Sequence, residues 1–333
     1  MQAIKPYTQI FNDLEGQEVL KKIEACGRVC YKSEGKIAEG SAEKFVANII
    51  KRGHEAVLEH GSFIFRASEK LHGEMKRLIN SMEDESEFVS FLRFTYDESP
   101  IVSGNVRAWR DLFKKFYEVC EFLPSFVKEF IQKYPVLFPE FQDVEFINNN
   151  EYVEDDLVQI TPADLETELD KLMHQDVTVK FVVDRGISHE IVRHRPASYC
   201  QESTRYCNYS KDDFGREITF ILPSYLDYKT AGWNTWNETM KGCEDAYFKL
   251  LDIGLTPQEA RAVLPNSLKT EVVMTANLNE WKTFFELRTS NAAHPQMVEV
   301  ARPLLDEMKE LIPGIFDSIT YNTKGGEKSD KEK

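Results

Sequence analysis

The run Val177-Thr178-Val179-Lys180-Phe181-Val182-Val183 constrains the fold more than any other stretch of the chain. Valine, threonine and phenylalanine side chains suit a pleated, packed surface and cost entropy in a helix, so the run predicts a strand. Gly186 is expected to end it, and Ser188 to cap a helix carrying Ile187, Ile191 and Val192. That helix delivers Arg193-His194-Arg195 to a loop starting at Pro196. The fold must therefore place a basic loop beside a strand–helix unit.

The remaining periodicities supply more helices than strands. Gly16 to Cys26 reads as a helix with Val19, Ile23 and Cys26 on one face. Ser41 is placed to cap a second helix, carrying Phe45, Val46, Ile49 and Ile50 and ending near Gly53. Ser62 to Phe65 and Phe91 to Tyr96 are strand candidates. From about 68 to 176 the pattern is mostly helical, with aromatics at helical spacing from Val106 to Tyr134, interrupted by Pro124, and an acidic loop at Glu151–Asp156. Ile218–Leu222 predicts a strand, and Trp236, Met240, Cys243, Tyr247 and Leu250 a long amphipathic helix stopped by Gly254. Thr256-Pro257-Gln258-Glu259 combines a capping box with proline at the first helical position. Val272–Met274 suggests a strand, Asn279 the start of a helix with Trp281, Phe284, Phe285 and Leu287, and Leu304, Leu305, Met308 and Leu311 a last helix. Ser103-Gly104-Asn105-Val106-Arg107-Ala108-Trp109 echoes Thr275-Ala276-Asn277-Leu278-Asn279-Glu280-Trp281, read here as a chance similarity of two amphipathic helix starts. The fold class is mixed α/β (α+β), one central sheet flanked by helices. No Gly-x-Gly-x-x-Gly follows a strand, so a doubly wound dinucleotide fold has no support.

Composition narrows the function. With 333 residues and 42 % hydrophobic content the chain can build a substantial core. A net charge of −15 repels phosphate at long range, which argues against nucleic acid and anionic membrane as partners. No run is apolar and long enough to span a bilayer, and Met1–Asp13 lacks the pattern of a secretory signal, so a cytoplasmic location is the expectation. The six cysteines include no Cys-x-x-Cys pair and are expected to be reduced. Lys324–Lys333 is a charged tail expected to be disordered.

Against this acidity, Arg193-His194-Arg195-Pro196-Ala197-Ser198-Tyr199-Cys200-Gln201-Glu202-Ser203-Thr204-Arg205-Tyr206 is the densest polar constellation. A guanidinium offers a planar fork of donors that matches phosphate and carboxylate. The stretch suits a ligand with more than one phosphate; arrangement alone leaves a solvated basic face open.

Arg193-His194-Arg195, seven residues, then Ser203 resembles the Arg-His-Arg-x7-Ser signature of the flavin-dependent thymidylate synthases. Gly53-His54-Glu55, Glu59-His60, Glu259-Ala260-Arg261, Leu264-Pro265, Thr275-Ala276-Asn277, Leu287-Arg288 and His294-Pro295-Gln296 extend the resemblance over about 15–67 and 177–312. The resemblance implies a single domain over 1–323 with an insertion at about 68–176, and reductive methylation of dUMP to dTMP. FAD, NADPH and methylene-tetrahydrofolate would take part, in a homotetramer whose sites draw on several subunits.

By resemblance, Arg193, His194, Arg195, Asn277, Asn279, Thr283, Gln201, His294 and His54 would contact the cofactor. Glu190, Arg193, Gln201, Glu202, Ser203, Thr204, Arg205 and Arg261 would contact dUMP, with Arg205 and Arg261 on its phosphate. Arg288 would favour ionisation of the pyrimidine, and Ser203 would position substrate. Cys30 stands where the family often has a flavin-contacting serine; a buried structural role is equally open. Glu190, Cys200, Gln201 and Thr204 depart from the family's common residues, as do Asn279 and Thr283 at cofactor positions. His54, Glu55, Glu59 and His60 lack the spacing of a zinc motif, so no metal is expected. Two rivals remain: a flavoprotein of this fold without synthase activity, and an RNA-binding module built on the arginine-rich loop.

Overall fold

The β-branched run forms a nine-residue strand, Asp176–Asp184, at the centre of a four-stranded sheet. The computed structural model describes residues 1–11, 18–81, 91–96, 99–147, 156–205, 207, 209 and 216–321. Gly16, most of the acidic loop at 151–155, Tyr206 and the charged tail lie outside the described residues. The chain begins with β1 (Gln2–Ile4), β2 (Tyr7–Ile10), α1 (Val19–Tyr31) and α2 (Ser41–Lys51). A 3-10 turn, Glu55–His60, leads to β3 (Ser62–Ala67), α3 (Glu69–Ser81), β4 (Arg93–Tyr96), β5 (Pro100–Asn105) and α4 (Val106–Cys120). Next come β6 (Leu123–Pro124), α5 (Lys128–Lys133), β7 (Phe146–Ile147), β8 (Leu157–Ile160), α6 (Glu168–His174) and β9 (Asp176–Asp184). The chain continues with α7 (Arg185–Ile191), β10 (Ser198–Gln201), β11 (Thr219–Ile221), α8 (Ala231–Asp252) and α9 (Pro257–Ala260). It ends in β12 (Lys269–Asn277), α10 (Leu278–Arg288) and α11 (Pro295–Leu311).

The expected single central sheet is accompanied by a second of equal size. The first has the order β10-β12-β9-β2 and the second β4-β5-β3-β8, and every neighbouring pair in both is antiparallel. Helices still supply most of the regular structure between 68 and 176, but β4, β5 and β8 build three of the second sheet's strands. Of these, only β4 had a signal in the sequence; β5 opens with proline and carries Gly104, both poor strand formers.

The two sheets repeat one plan. His60 precedes β3 and His174 ends the helix before β9. Ser62 sits opposite Asn105, and Asp176 opposite Asn277. Asn105 Oδ1 accepts the Ala108 N–H at 2.8 Å, and Asn277 Oδ1 the Glu280 N–H at 2.9 Å, so each asparagine caps the helix that follows. The first N–H of α4 donates to Gly61 O at 2.8 Å, and that of α10 to Gln175 O at 3.1 Å. Trp109 and Trp281 then plunge into separate cores. The echo between 103–109 and 275–281 is thus one local structure built twice, not a chance similarity. The halves also exchange parts: β2 lies on β9, and β8 on β3.

Three caps differ from expectation. Asp184, not Ser188, caps α7 by accepting the Ile187 N–H at 2.9 Å, because β9 runs past the apolar block and into the helix without a break at Gly186. Gly40, in the left-handed region, precedes α2, and Ser41 is its first residue. Asn277 rather than Asn279 starts α10. The capping box at Thr256–Glu259 and the stop at Gly254 (φ 99°) are as expected.

One core gathers Phe65, Trp109, Phe113, Phe130 and Phe138; the other gathers Phe181, Trp281, Phe284, Phe285 and Phe316. Phe116 and Tyr117 pack at the margin of the first. A third cluster seats Met240 and Tyr247 of α8 on Phe220 of β11. Among the described residues no helix is long and apolar enough to cross a membrane.

Two buried histidines tie the halves together. His60 Nδ1 lies 2.7 Å from Thr275 Oγ1, and His174 Nδ1 2.7 Å from Ser103 Oγ. Burial, with Lys22 nearby, holds His60 at about 3, and burial, with Arg93 nearby, holds His174 at about 4. Both are neutral in the fold, whereas the unfolded chain protonates them near 6.5. The unfolded state therefore binds more protons below that value. Their contribution is intact above about pH 6.5 and is lost as pH falls toward 4. Urea midpoints should decline across that window, and His174→Asn, measured the same way, should flatten the slope.

Candidate functional site

The end of α7 turns sharply, and two side chains hold the turn. Arg195 donates to the Val192 carbonyl and, at 2.8 Å, to the His194 carbonyl, while its guanidinium lies 4.9 Å over the Tyr199 ring. The Tyr199 hydroxyl donates to Ile191 O (3.0 Å) and His194 O (2.8 Å). Arg195 thus shapes the loop. Arg193 is exposed and has no side-chain partner among the described residues. His194 is buried edge-on against Phe284, with Nε2 3.5 Å from the Glu280 carboxylate; burial and the nearby Arg288 hold it below the ordinary histidine range.

Arg288, at the end of α10, reaches the same region. Its Nη1 lies 3.5 Å from Glu190 Oε2 and its Nη2 donates to Glu190 O at 3.3 Å. The buried nitrogens Arg288 Nε and His194 Nε2 have no hydrogen-bond partner among the described residues. Glu190, His194 and Arg288 therefore come together, with Arg193 projecting beside them. Asn277 spends its oxygen on the α10 cap and its NH2 on Met173 O at 3.2 Å. Asn279 and Thr283 are exposed on α10, and Thr283 Oγ1 donates to Asn279 O at 3.3 Å. His294 caps α11 by accepting the Gln296 N–H at 3.3 Å.

A second group occupies the other end of β10, whose Ser198 pairs with Thr275 and whose Gln201 pairs with Val272. Gln201 Nε2 donates to Ser188 Oγ at 2.8 Å. Ser203 N donates to Cys30 O at 3.1 Å, and Ser203 Oγ accepts the Arg205 N–H at 3.3 Å. Arg261 Nη1 donates to Thr204 Oγ1 at 3.2 Å. Arg205 and Arg261 are both exposed. His54 is exposed, with Nδ1 3.0 Å from the Tyr31 hydroxyl. No hydrogen bond, ion pair or ring contact between described residues joins His54 or His294 to either group.

Glu202 is buried, and its support was missed by sequence reasoning. Lys269 Nζ lies 3.0 Å from Glu202 Oε2 and 2.6 Å from Glu271 Oε1; Lys32 also pairs with Glu271, and Lys180 lies 3.8 Å from it. Burial pushes the Glu271 carboxyl up, but Lys269 and Lys32 outweigh it and hold it at about 2. Glu202 N also donates to Glu271 O at 2.8 Å. The signal was present as two charges, Lys269 and Glu271, at the start of a strand that continues into Val272, Val273 and Met274. This network anchors the loop that carries Ser203, Thr204 and Arg205.

Glu55 pairs with Arg110 (3.3 Å) and Glu59 with Arg107 (2.8 Å), while His60 is bound to Thr275. Among the described residues no group of three or more histidines, cysteines or acids is placed to hold a metal ion.

A family model described as "Thymidylate synthase complementing protein" matches residues 15–80 and 169–314. The chain is 33 % identical over 168 residues to a flavin-dependent thymidylate synthase of Geobacter sulfurreducens, covering 47 % of this chain and 71 % of that protein. It is 35 % identical over 168 residues to a flavin-dependent thymidylate synthase of Pyrococcus horikoshii, covering 46 % and 68 %. A crystal structure of a UMP/dUMP methylase from Streptomyces cacaoi bound with 5-Br dUMP aligns at a TM-score of 0.35 and 22 % identity, over 42 % of this chain and 68 % of that one.

Removing one partner of a buried charge network leaves the others unpaired, at a cost of about 3–5 kcal/mol. Lys269→Met should therefore destabilise the chain by about that amount in urea titration. It should also speed amide exchange at residues 202–205.

Proposed function

Because the chain belongs to the flavin-dependent thymidylate synthase family, we propose that it converts dUMP to dTMP. Methylene-tetrahydrofolate would donate the carbon, and NADPH would donate electrons through FAD. The observation that carries the reading is the exposed Arg193, without a side-chain partner among the described residues, next in sequence to His194, whose buried Nε2, like Arg288 Nε, makes no hydrogen bond among those residues. An anionic cofactor rich in acceptor oxygens satisfies such a set.

Arg193 would take the cofactor's phosphates, with His194 and the backbone of Leu278 and Asn279. Arg195 would act chiefly by holding the turn, and Asn277 by starting α10 at the right place. His54, Gln201, Thr283 and His294 are further contacts implied by the family. When bound, the flavin supplies reducing equivalents and mediates one-carbon transfer.

Arg205 and Arg261 would bind the dUMP phosphate, with Ser203 and the 202–204 backbone adding donors. Thr204 steadies Arg261, and the network around Glu202 steadies the loop. Carbon 5 of the uracil must become nucleophilic before it accepts carbon. Arg288 would favour that by placing positive charge where negative charge develops at N3, with Glu190 holding the guanidinium in position. A cysteine nucleophile has little support: Cys200 and Cys207 are buried, a hydrogen bond with Cys30 and burial push the Cys200 thiol up, and burial pushes Cys207 to about 12. Ser203 has no base within hydrogen-bonding distance among the described residues, which suits positioning rather than covalent attack.

The two groups at opposite ends of β10 suit sites completed across copies, in line with the homotetramer that the resemblance implies. Residues 81–168, between the matched stretches, support treating that region as an addition to the family domain. The test is dTMP formation by the purified chain, with each of FAD, NADPH and methylene-tetrahydrofolate withheld in turn. Flavin-loaded protein that makes no dTMP would defeat the proposal.

Arg193→Ala should weaken FAD binding about tenfold or more, the order expected for a lost charge-assisted contact, as read by flavin content after gel filtration. The two other arginines should separate kinetically. A phosphate contact is present in ground and transition states alike, so Arg261→Ala should raise KM for dUMP about tenfold with little change in kcat. A contact to developing charge strengthens on the way to the transition state, so Arg288→Ala should lower kcat about a hundredfold at saturating dUMP. Steady-state kinetics on flavin-matched samples decides; an Arg288→Ala variant altered only in KM would show a uniform binding contact.

A further inference from the structure

The repeated plan of the two sheets leaves a seam between the halves, and the seam holds a pocket. Phe91, Arg93 and Asn105 line it from the first half; Pro196, Ala197 and Asn277 are among its lining residues from the second. It therefore begins directly after Arg195. Of the charges inside it, Arg93 makes a two-pronged pair with Asp176 (2.6 and 3.0 Å) and Glu59 pairs with Arg107 at 2.8 Å, while Glu280 lies 3.5 Å from His194 Nε2 and burial pushes its carboxyl up.

Two N–H groups there are not matched. Asn105 is 4 % exposed, and its Nδ2 has no hydrogen-bond partner among the described residues; nor does Arg93 Nε. The amide cannot turn to relieve this, because its oxygen is held by the Ala108 N–H at 2.8 Å. Asn277, its counterpart in the second half, makes the same cap but gives its NH2 to Met173 O at 3.2 Å. The same residue in the same role thus keeps a spare donor in one half only. A buried donor without an acceptor is costly, and a carbonyl-bearing ligand removes that cost. Phe91, Met173 and Pro196 add apolar walls that suit the edge of a flat ring.

We propose that the described elements between 60 and 120 (β3, α3, β4, β5 and α4) are a second copy of those between 174 and 288 (β9, α7, β10, β12 and α10), and that this copy serves the site of the other. The carbonyl-bearing edge of the flavin ring would dock in the seam on Asn105 Nδ2 and Arg93 Nε. The proposal rests on the flavin reading above. The chain contains a single Arg-His-Arg, in the second half, so the two copies together make one flavin site, not two.

FAD titration of the full-length chain, followed by quenching of flavin fluorescence, tests this. Asn105→Ser retains a capping oxygen and deletes the donor, so FAD should bind about tenfold more weakly while thermal unfolding stays close to the parent's. Asn105→Asp retains the cap and the shape but presents an acceptor, and should weaken FAD at least as much; it serves if the serine variant does not fold. The parent should saturate at one FAD per chain. Parent-like affinity in a folded variant, or two FAD per chain, overturns the seam assignment while leaving the flavin reading standing. A parent chain that binds no FAD defeats the flavin reading itself.

Discussion

Two hydrogen bonds across the seam organise this chain. His60 stands at the head of the first half's central strand and bonds to Thr275 of the second half. His174 stands at the head of the second half's central strand and bonds to Ser103 of the first. All four side chains are buried, so each bond forms where an unpaired partner would be costly. The crossing sets the two sheets in one relation, and the exchanged edge strands β2 and β8 reinforce it. Thr95 extends the second bond, reaching His174 Nε2 at 2.9 Å and Asp170 at 2.6 Å. Everything that lines the seam, including the loop after Arg195, takes its position from this arrangement.

The arginines divide by what surrounds them. Arg93, Arg110 and Arg195 are committed to carboxylates or carbonyls of their own chain, and act as struts. Arg193 has no such commitment among the described residues. Arg288 and Arg261 are intermediate: Arg288 has two long contacts, both to Glu190 (3.5 and 3.3 Å), and Arg261 one to Thr204 (3.2 Å), which a ligand's oxygens can replace. In a chain of net charge −15, basic groups available to a phosphate are informative because the long-range field opposes their ligand. The lysines at 32, 180 and 269 do the opposite work, neutralising Glu202 and Glu271 beneath the loop.

The main elements could be read in advance where periodicity was strong. β9, α8, α10 and α11 carry long apolar patterns, and the Thr256 box has an unambiguous chemistry. β5 and β8 could not: one contains proline and glycine, and the other is four residues long with two exposed. Cap positions slipped by one to four residues because Ser41, Ser188 and Asn279 are good capping residues that lie beside the positions actually used. The echo at 103–109 and 275–281 was visible as spelling, but spelling cannot distinguish two helix starts from two copies of a sheet plan.

By itself the sequence determined the chemistry on offer: which residues are basic, which helices are amphipathic, and the ordered motif that marks the family. Those properties are local, set by residue type and spacing along a few turns of chain. Only the tertiary structure decided which of those residues are already occupied. Arg195, Asn277, Gln201 and Glu202 look like binding groups in the sequence, yet each meets a partner from elsewhere in the fold or its own loop. Asn105, which the sequence marks only through the echo of 275–281 and which the family motifs do not include, is left with a spare buried donor among the described residues. Hydrogen-bond capacity is used up by neighbours in space, and for Gln201, Glu202, Asn277 and His60 those neighbours lie 13 to 215 residues away along the chain.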